Sequence, residues 1–346
     1  MAPPPAGTGS PDQRRCGIPL VDALFGNGPA TPIRPGDDPA AVGAVQDLLL
    51  GHGNGGLPGL TSPVYGIFGP KTIAALRGFQ AAHGLAVQHC VDRQTLASLL
   101  DEPAADPRAG RAYVALTLGF PPTALLKALS LVAQMEGLGR FAAISRNTDG
   151  AGLSYGIIQW AQRTGRLAEI LTAFQSADAA QYRAIFGAGD AELAQRLLRH
   201  ARQPGGGVDS EGKTTDAAFN LIEEPWPSRF LRAALAPAFQ RAQVRVALAA
   251  FSRSRENIRS AAPEVATERG VAFLLDVANQ FGDAGMIRLC KAARRDSMAE
   301  RDLIEAVADA TVERMPDKLK MGVRARRDVF LHTPWLSEGP FAESQG

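Results

Sequence analysis

The chain is short of the residues that build metal centres and covalent staples. Its 346 residues include only 3 cysteines, Cys16, Cys90 and Cys290, and an odd number cannot be wholly paired within one chain. They lie far apart without metal-ligand spacing, so free thiols are expected. The 5 histidines, His52, His83, His89, His200 and His332, are equally scattered. None forms the close pair on one helical face that a zinc hydrolase uses, so they read as packing or surface groups, and no metal or cofactor is expected. Charge of one sign is lacking too: a formal net charge of +2 is too small to argue for a nucleic-acid partner. No apolar run reaches the roughly 18 to 20 residues that span a bilayer, so no membrane span is expected. The Pro/Gly/Ala-rich start, Met1 to Ser10, followed by Arg14 and Arg15 without an apolar run, does not read as a Sec signal peptide.

The remaining composition is that of a soluble globular protein, with 45% hydrophobic and 21% charged residues. The length suits two unequal domains and a leader. Residues 1–35 alternate Pro and Gly with one apolar patch, Ile18 to Phe25, and read as a flexible leader with little structure of its own. From Asp38 the pattern turns helical. Val42, Val45, Leu48 and Leu49 mark a short amphipathic helix, with Asp37 or Asp38 as N-cap and Pro39 in the first turn. A second helix carries Ile73, Leu76 and Phe79 on one face, and a third spans Asp92 to Leu100. Residues 36–102 thus form a small helical bundle, and 103–112, with Pro103 and Pro107, a linker. Residues 113–346 form a larger α-rich domain, in which Thr123 caps a strongly apolar helix ending at Glu136 and Gly137. Gly-punctuated, β-prone sequence follows from Asp149 to Trp160, then helical periodicity nearly to the end. No internal repeat is visible, and Gly205-Gly206-Gly207 reads as an exposed loop.

The small bundle carries Val45-Gln46, then Tyr65-Gly66-Ile67-Phe68-Gly69-Pro70-Lys71-Thr72, Ala75-Leu76, Phe79-Gln80, His83-Gly84-Leu85, Val91-Asp92 and Thr95-Leu96. In that order these pieces resemble the three-helix peptidoglycan-binding domain of bacterial and phage wall hydrolases. Gly66 and Gly69 would permit a tight turn with positive φ, and Thr72 would cap the second helix. Gln46 and Gln80 occupy matching places in two helices. Tyr65 stands where the family usually has Asp, and Gln88-His89-Cys90 replaces a usual Asp-Gly turn. The resemblance implies peptidoglycan as the partner, with Tyr65, Phe68 and Gln80 as candidate contacts. The slightly basic balance does not oppose docking on an anionic wall.

Cleavage of a glycosidic bond needs one carboxyl to protonate the leaving oxygen and a second carboxylate as nucleophile, base or electrostatic stabiliser. An acid at the C-terminal end of an apolar helix suits the first task, because burial and the negative end of the helix dipole both disfavour ionisation. Glu136 occupies that place. After it comes Asp149-Gly150-Ala151-Gly152-Leu153-Ser154-Tyr155-Gly156-Ile157-Ile158-Gln159-Trp160. The order of helix, glutamate and glycine-rich hairpin resembles the lysozyme superfamily, and the hairpin is similar to that of its chitosanase branch. That resemblance implies Asp149 as the second carboxylate, Ser154 as the hydroxyl that helps position an attacking water, and inversion of configuration. The spacing from Glu136 to Asp149 is shorter than in that branch, and Gln159-Trp160 looks nearer to muramidase-type relatives. Tyr155 and Gln159 become candidate substrate contacts. Asp276 to Gly282 resembles the opposite cleft wall, with Asn279 and Gln280 as candidates there, against a plain helix-end role at Gly282. Glu223 and Glu224 read as surface acids beside Trp226, and Arg324, Arg326 and Arg327 as a solvated helix face.

The expected protein is mainly α: a three-helix peptidoglycan-binding bundle, then a lysozyme-like α-rich domain with a small β-hairpin. It is expected to be a monomeric peptidoglycan-cleaving glycosidase acting in the periplasm or outside the cell, delivered by a route other than a Sec leader. A lytic transglycosylase, a chitosanase-like glycosidase and a non-catalytic wall-binding protein are the alternatives. An amidase or endopeptidase is disfavoured by the cysteine and histidine placement.

Overall fold

The computed structural model describes residues 19–24, 29–52, 56–58, 64–101, 120, 123–137, 141–147, 149–234, 236–333 and 336–342. The expected linker, 103–112, and the first 18 residues of the leader lie outside the described residues. The described chain is mainly helical, with one small antiparallel sheet. It divides into two compact units, residues 1–131 with 251–346, and residues 132–250.

In chain order the elements are α1 (Pro19–Ala23), α2 (Pro39–Gly51), α3 (Pro70–Ala82), α4 (Arg93–Asp101), α5 (Ala124–Gly137), β1 (Ile144–Arg146), β2 (Leu153–Tyr155), β3 (Trp160–Ala161), α6 (Arg166–Ala177), α7 (Ala179–Phe186) and α8 (Ala191–Ala201). Two 3-10 turns, Pro204–Gly207 and Ala217–Phe219, lead to α9 (Trp226–Ala234), α10 (Pro237–Ala261), α11 (Glu268–Ala293), α12 (Glu300–Glu313) and α13 (Asp317–His332).

In the first unit, Pro39 opens α2 behind Asp38, whose Oδ1 accepts from Ala41 N at 3.1 Å. Every residue from Ala41 to Leu50 is buried, so α2 is enclosed on all sides where a one-sided amphipathic helix was expected. The extra cover comes from α1, which packs on α2 beside α3 and α4. Val21, Leu24 and Ile33 are buried, and Ile33 forms an antiparallel bridge with Val91. The described part of the leader is therefore structured, because its few apolar side chains find the exposed side of α2 and the end of the bundle.

Also in this unit, α11 packs on α12 and α13. Asp276 on α11 is wholly buried and meets the guanidinium groups of Arg326 and Arg327, the latter itself 0% exposed. Arg327 Nε also donates to Thr311 Oγ1 at 2.9 Å. The solvated basic face expected here is thus limited to Arg324, which pairs with Asp309. A buried carboxylate demands charged partners, and these two arginines supply them. Arg269 donates to the carbonyls of Phe330, Thr333 and Leu336, closing the C-terminal end of α13. Gly282, with φ 70° and ψ 161°, breaks α11 into two helical stretches at a kink, so the amides of Asn279 and Gln280 precede the end of the first stretch, as the sequence expects.

The second unit centres on the three-stranded sheet, ordered β1-β2-β3. Its aromatic core gathers Tyr155, Phe174, Tyr182, Phe186, Phe230 and Phe239, with successive ring centroids 4.7 to 6.3 Å apart. Gln243 on α10, 0% exposed, reaches two separate segments: its Oε1 accepts from Ile157 N at 3.1 Å and its Nε2 donates to Phe141 O at 3.1 Å. Gly206 and Gly207 are buried, correcting the expectation of an exposed loop. Gln162 Nε2 donates to Gly206 O, and the His200 ring lies where a Cβ on Gly207 would stand.

Candidate functional site

Glu136 lies in the last turn of α5, a helix begun by Thr123, whose Oγ1 accepts from Leu126 N at 3.1 Å. Leu126, Leu129, Leu131 and Val132 are buried on that helix, and Glu136 at its end is half-buried. The chain then returns through β1 into the turn that carries Asp149.

Across the sheet Ser145 faces Ser154 and Ser154 faces Ala161, while Tyr155 faces Ile144 and Trp160. Side chains alternate between faces along a strand. Leu153, Tyr155 and Trp160 are accordingly in the core, whereas Ser145, Ser154 and Ala161 form a half-buried row of small groups on the other face. Ser154 is therefore placed on the accessible face of β2. Tyr155 is not: it is 0% exposed and its hydroxyl donates to Phe230 O at 2.9 Å. Burial pushes its phenol well above the ordinary tyrosine range. It is a core residue, removed from any substrate contact by the strand alternation that exposes Ser154.

Asp149 is exposed on the β1–β2 turn, and its Oδ1 accepts from Ala151 N at 3.2 Å. Asn147 N donates to Gly152 O at 2.7 Å, and Asn147 Oδ1 accepts from Gly152 N at 3.0 Å, which closes the turn. Gln159, half-buried with φ 52°, donates through Nε2 to Ala143 O at 3.2 Å and Gly156 O at 3.0 Å. Its amide thus holds the β2–β3 turn. Asn147, Gln162, Arg163 and Gln243 were not among the sequence candidates; all of them tie this hairpin to distant backbone. Glu136, Asp149, Ser154, Tyr155 and Gln159 all fall in the second unit, whereas Asn279 and Gln280 belong to the first. Asn279 is half-buried just before the α11 kink, and exposed Gln280 accepts through Oε1 from Arg327 Nη2. Trp226 is buried with its Nε1 donating to Ala218 O at 3.0 Å, and Glu223 and Glu224 beside it are exposed, as the surface reading expects.

In the small bundle two glutamines do the same work twice. Gln46, 0% exposed, donates through Nε2 to Ile67 O (2.9 Å) and Thr72 Oγ1 (3.0 Å) and accepts from Gly66 N (2.9 Å). Gln80, also 0% exposed, donates to Cys90 O (3.1 Å) and Thr95 Oγ1 (3.2 Å) and accepts from Gln88 N (2.9 Å). Each glutamine faces a loop and the threonine in the first turn of the next helix. The matched places of the two glutamines in sequence are thus a structural repeat, and it makes Gln80 an internal clasp with its amide spent on the fold. Thr72 belongs to the first clasp and does not cap α3; Gly69 is the N-cap residue and has φ −92°, so only Gly66, at φ 79°, needs the left-handed region. Phe68 is buried as well. Of the proposed contacts only Tyr65 keeps partial exposure; its hydroxyl donates to buried Asp47 at 2.8 Å, and its ring lies against Gly43.

Residues 38–99 match the family model for the putative peptidoglycan binding domain. The peptidoglycan-binding module thus coincides with the paired glutamine clasps, α2 to α4 and the Val91 end of the bridge to Ile33. No curated protein matches the chain. Two solved structures are similar over 60% of this chain and 86% of theirs, each with a TM-score of 0.44: a mutant chitosanase from Bacillus subtilis MY002 complexed with 6 GlcN, at 16% identity, and the native chitosanase from the same source, at 15%. The chain therefore joins a peptidoglycan-binding module to an α-rich region with a three-stranded sheet.

Proposed function

We propose that the protein is a glycoside hydrolase that cleaves glycosidic bonds of the peptidoglycan glycan, with residues 36–102 as its wall tether and 113–346 as the catalytic domain. The observation that carries this reading is the peptidoglycan-binding module in one chain with an acid-bearing helix and an Asp-bearing hairpin. A wall tether raises the local concentration of enzyme on its polymer, and two carboxyls supply the acid and the second carboxylate that glycoside cleavage needs. Glu136 donates the proton to the leaving oxygen. Asp149, exposed at the turn tip, acts as base or stabilises positive charge, and Ser154, on the accessible face of β2, orients the water. Gln159 shapes the adjoining turn, and Asn279 and Gln280 are candidates for sugar contacts. Tyr65 is the proposed glycan contact left in the module once Phe68 and Gln80 are assigned to its interior. No helix among the described residues is long and apolar enough to cross a membrane, and the site of action is the cell wall.

The test is Glu136→Gln on purified sacculi. It is expected to abolish the loss of turbidity while pull-down on sacculi stays at the level of the unmodified protein, and undiminished lysis would overturn the acid assignment. Mass spectrometry of the products separates the reaction classes. A hydrolase leaves a new reducing end, whereas a transglycosylase leaves an anhydro sugar.

A further inference from the structure

We propose that Asn147 and Arg163 are positioning residues for the Asp149 carboxylate, lacing the turn that carries it to the 209–213 loop. This rests on the reading of Asp149 as a reacting carboxylate. The strands flanking the turn, β1 and β2, are only three residues each, and a hairpin that short is marginal by itself. The aim of the carboxylate has to be fixed from outside.

Arg163 Nη1 donates to two carbonyls at once, Gly150 O in the Asp149 turn at 3.2 Å and Ser210 O in the distant loop at 2.8 Å. Asn147 makes a second bridge: its Oδ1 accepts from Gly152 N while its Nδ2 donates to Glu211 O at 3.0 Å. Backbone pairing from Arg163 N to Ala151 O at 3.0 Å holds the turn from the β3 side. Gln162 repeats the pattern one residue earlier, accepting from Leu153 N at 3.1 Å and donating to Gly206 O at 3.0 Å.

The loop that receives these bonds is closed by hydrogen bonds of its own. Asp209 Oδ1 accepts from Glu211 N at 2.8 Å and Lys213 N at 3.0 Å, and Asp209 N donates to Lys213 O at 2.9 Å. The backbone amide of Lys213, then that of Glu211, holds the Asp209 carboxyl below the usual carboxylate range. Gly212, at φ 75°, comes so near the turn that a Cβ there would fall on Asn147 Oδ1. The loop backbone therefore docks directly on the side chain that closes the turn.

Three variants of the full chain test the lacing, with the unmodified protein and Asp149→Asn as references and soluble peptidoglycan glycan oligosaccharides as substrate. Arg163→Ala removes one bridge. Asn147→Asp keeps the acceptor for Gly152 N but loses the donor to Glu211 O, separating lacing from closure of the turn. Gly212→Ala wedges the two segments apart. A reacting group misplaced by about 1 Å costs about 100-fold. The expectation is therefore a kcat loss of about 10- to 100-fold with KM within about 3-fold, the pattern of a group misplaced in the transition state. The melting temperature is expected to shift by only a few degrees. Amide exchange at 149–152 and 209–213 is expected to accelerate by about 10-fold or more, as local opening frees these segments. Unchanged exchange, or kcat within about 2-fold of the unmodified protein in all the variants, would overturn the proposal. Unmodified kcat in Asp149→Asn, with exchange accelerated in the lacing variants, would overturn the role of Asp149 and with it the catalytic purpose of the lacing.

Discussion

The peptidoglycan-binding module and the hairpin region solve one problem with the same side chain at different ranges. Both bury glutamines whose amides satisfy loop backbone. In the module, Gln46 and Gln80 find partners at most 26 residues away. In the hairpin region, Gln162 and Gln243 reach partners up to 102 residues distant. Local clasps let a segment organise itself, whereas distant ones tie the hairpin to the completed packing of its unit. The hairpin is thus the region whose geometry is lost first when packing elsewhere is disturbed.

The largest effect is expected from cutting the longest tie. Gln243→Leu leaves the buried amide of Ile157 and the carbonyl of Phe141 without that partner, at about 1 to 3 kcal/mol each and so roughly 2 to 6 kcal/mol together. Denaturant unfolding measures the loss, and near-UV circular dichroism should show the Tyr155 aromatic cluster loosening with it. A cost below about 1 kcal/mol would remove the contrast between near and distant clasps. Gln46→Leu is expected to cost less, about 2 to 3 kcal/mol, because the Ile67 carbonyl keeps a second donor, Gly69 N at 2.8 Å. Calorimetry should place that loss in binding of sacculi and in the module's transition while kcat on short soluble oligosaccharides stays unchanged; a matching fall in kcat would show that the clasps are not separable. Tyr65→Phe removes one hydroxyl from Asp47 and is expected to cost about 1 kcal/mol, read as a small fall in the same transition.

The smallest effect is a pH slope. His200 is 2% exposed, and neither ring nitrogen has a hydrogen-bond partner among the described residues; its ring stacks on Phe219 at 5.0 Å. Burial holds its folded-state value below 6.5, against a smaller opposing pull from Asp216. The unfolded chain therefore takes up the proton first. The full contribution of the neutral ring is present above the unfolded value, and stability falls as pH drops through it towards the folded one. Denaturation midpoints measured from neutral to mildly acidic pH should decline, and His200→Leu should flatten that decline. An equal slope in both proteins would dismiss His200 as its source.

The legibility of the sequence follows the same contrast. The module's motif pieces are local, so its three helices and the family resemblance could be read from their order, including Gln46 and Gln80 as a matched pair. Their role could not: a glutamine after an apolar residue looks the same whether it faces a sugar or a threonine hydroxyl, and only burial separates the two. The helix ending at Glu136 and the β-prone segment near Ser154 were legible from periodicity and glycine punctuation. Tyr155 and Ser154 are neighbours in a β-prone segment, and strand alternation sends them to opposite faces; which of the two faces inward is decided by the packing against Phe230 and Phe239. Arg326 and Arg327 carried a surface signature, yet Asp276, 50 residues away, draws both inward. Asn147 and Arg163 carry no local signal for this lacing, since their partners in the 209–213 loop lie 47 to 64 residues onward.

The bridge between Ile33 and Val91 bears on portability. A sequence match that starts at residue 38 marks where family likeness begins, not where the folded body begins. Val21, Leu24 and Ile33 seal apolar surface that would otherwise face water. A transplant of this wall anchor onto another enzyme should therefore be cut upstream of Pro19; cut at Asp38, the graft would arrive with an unsealed flank and a tendency to self-associate.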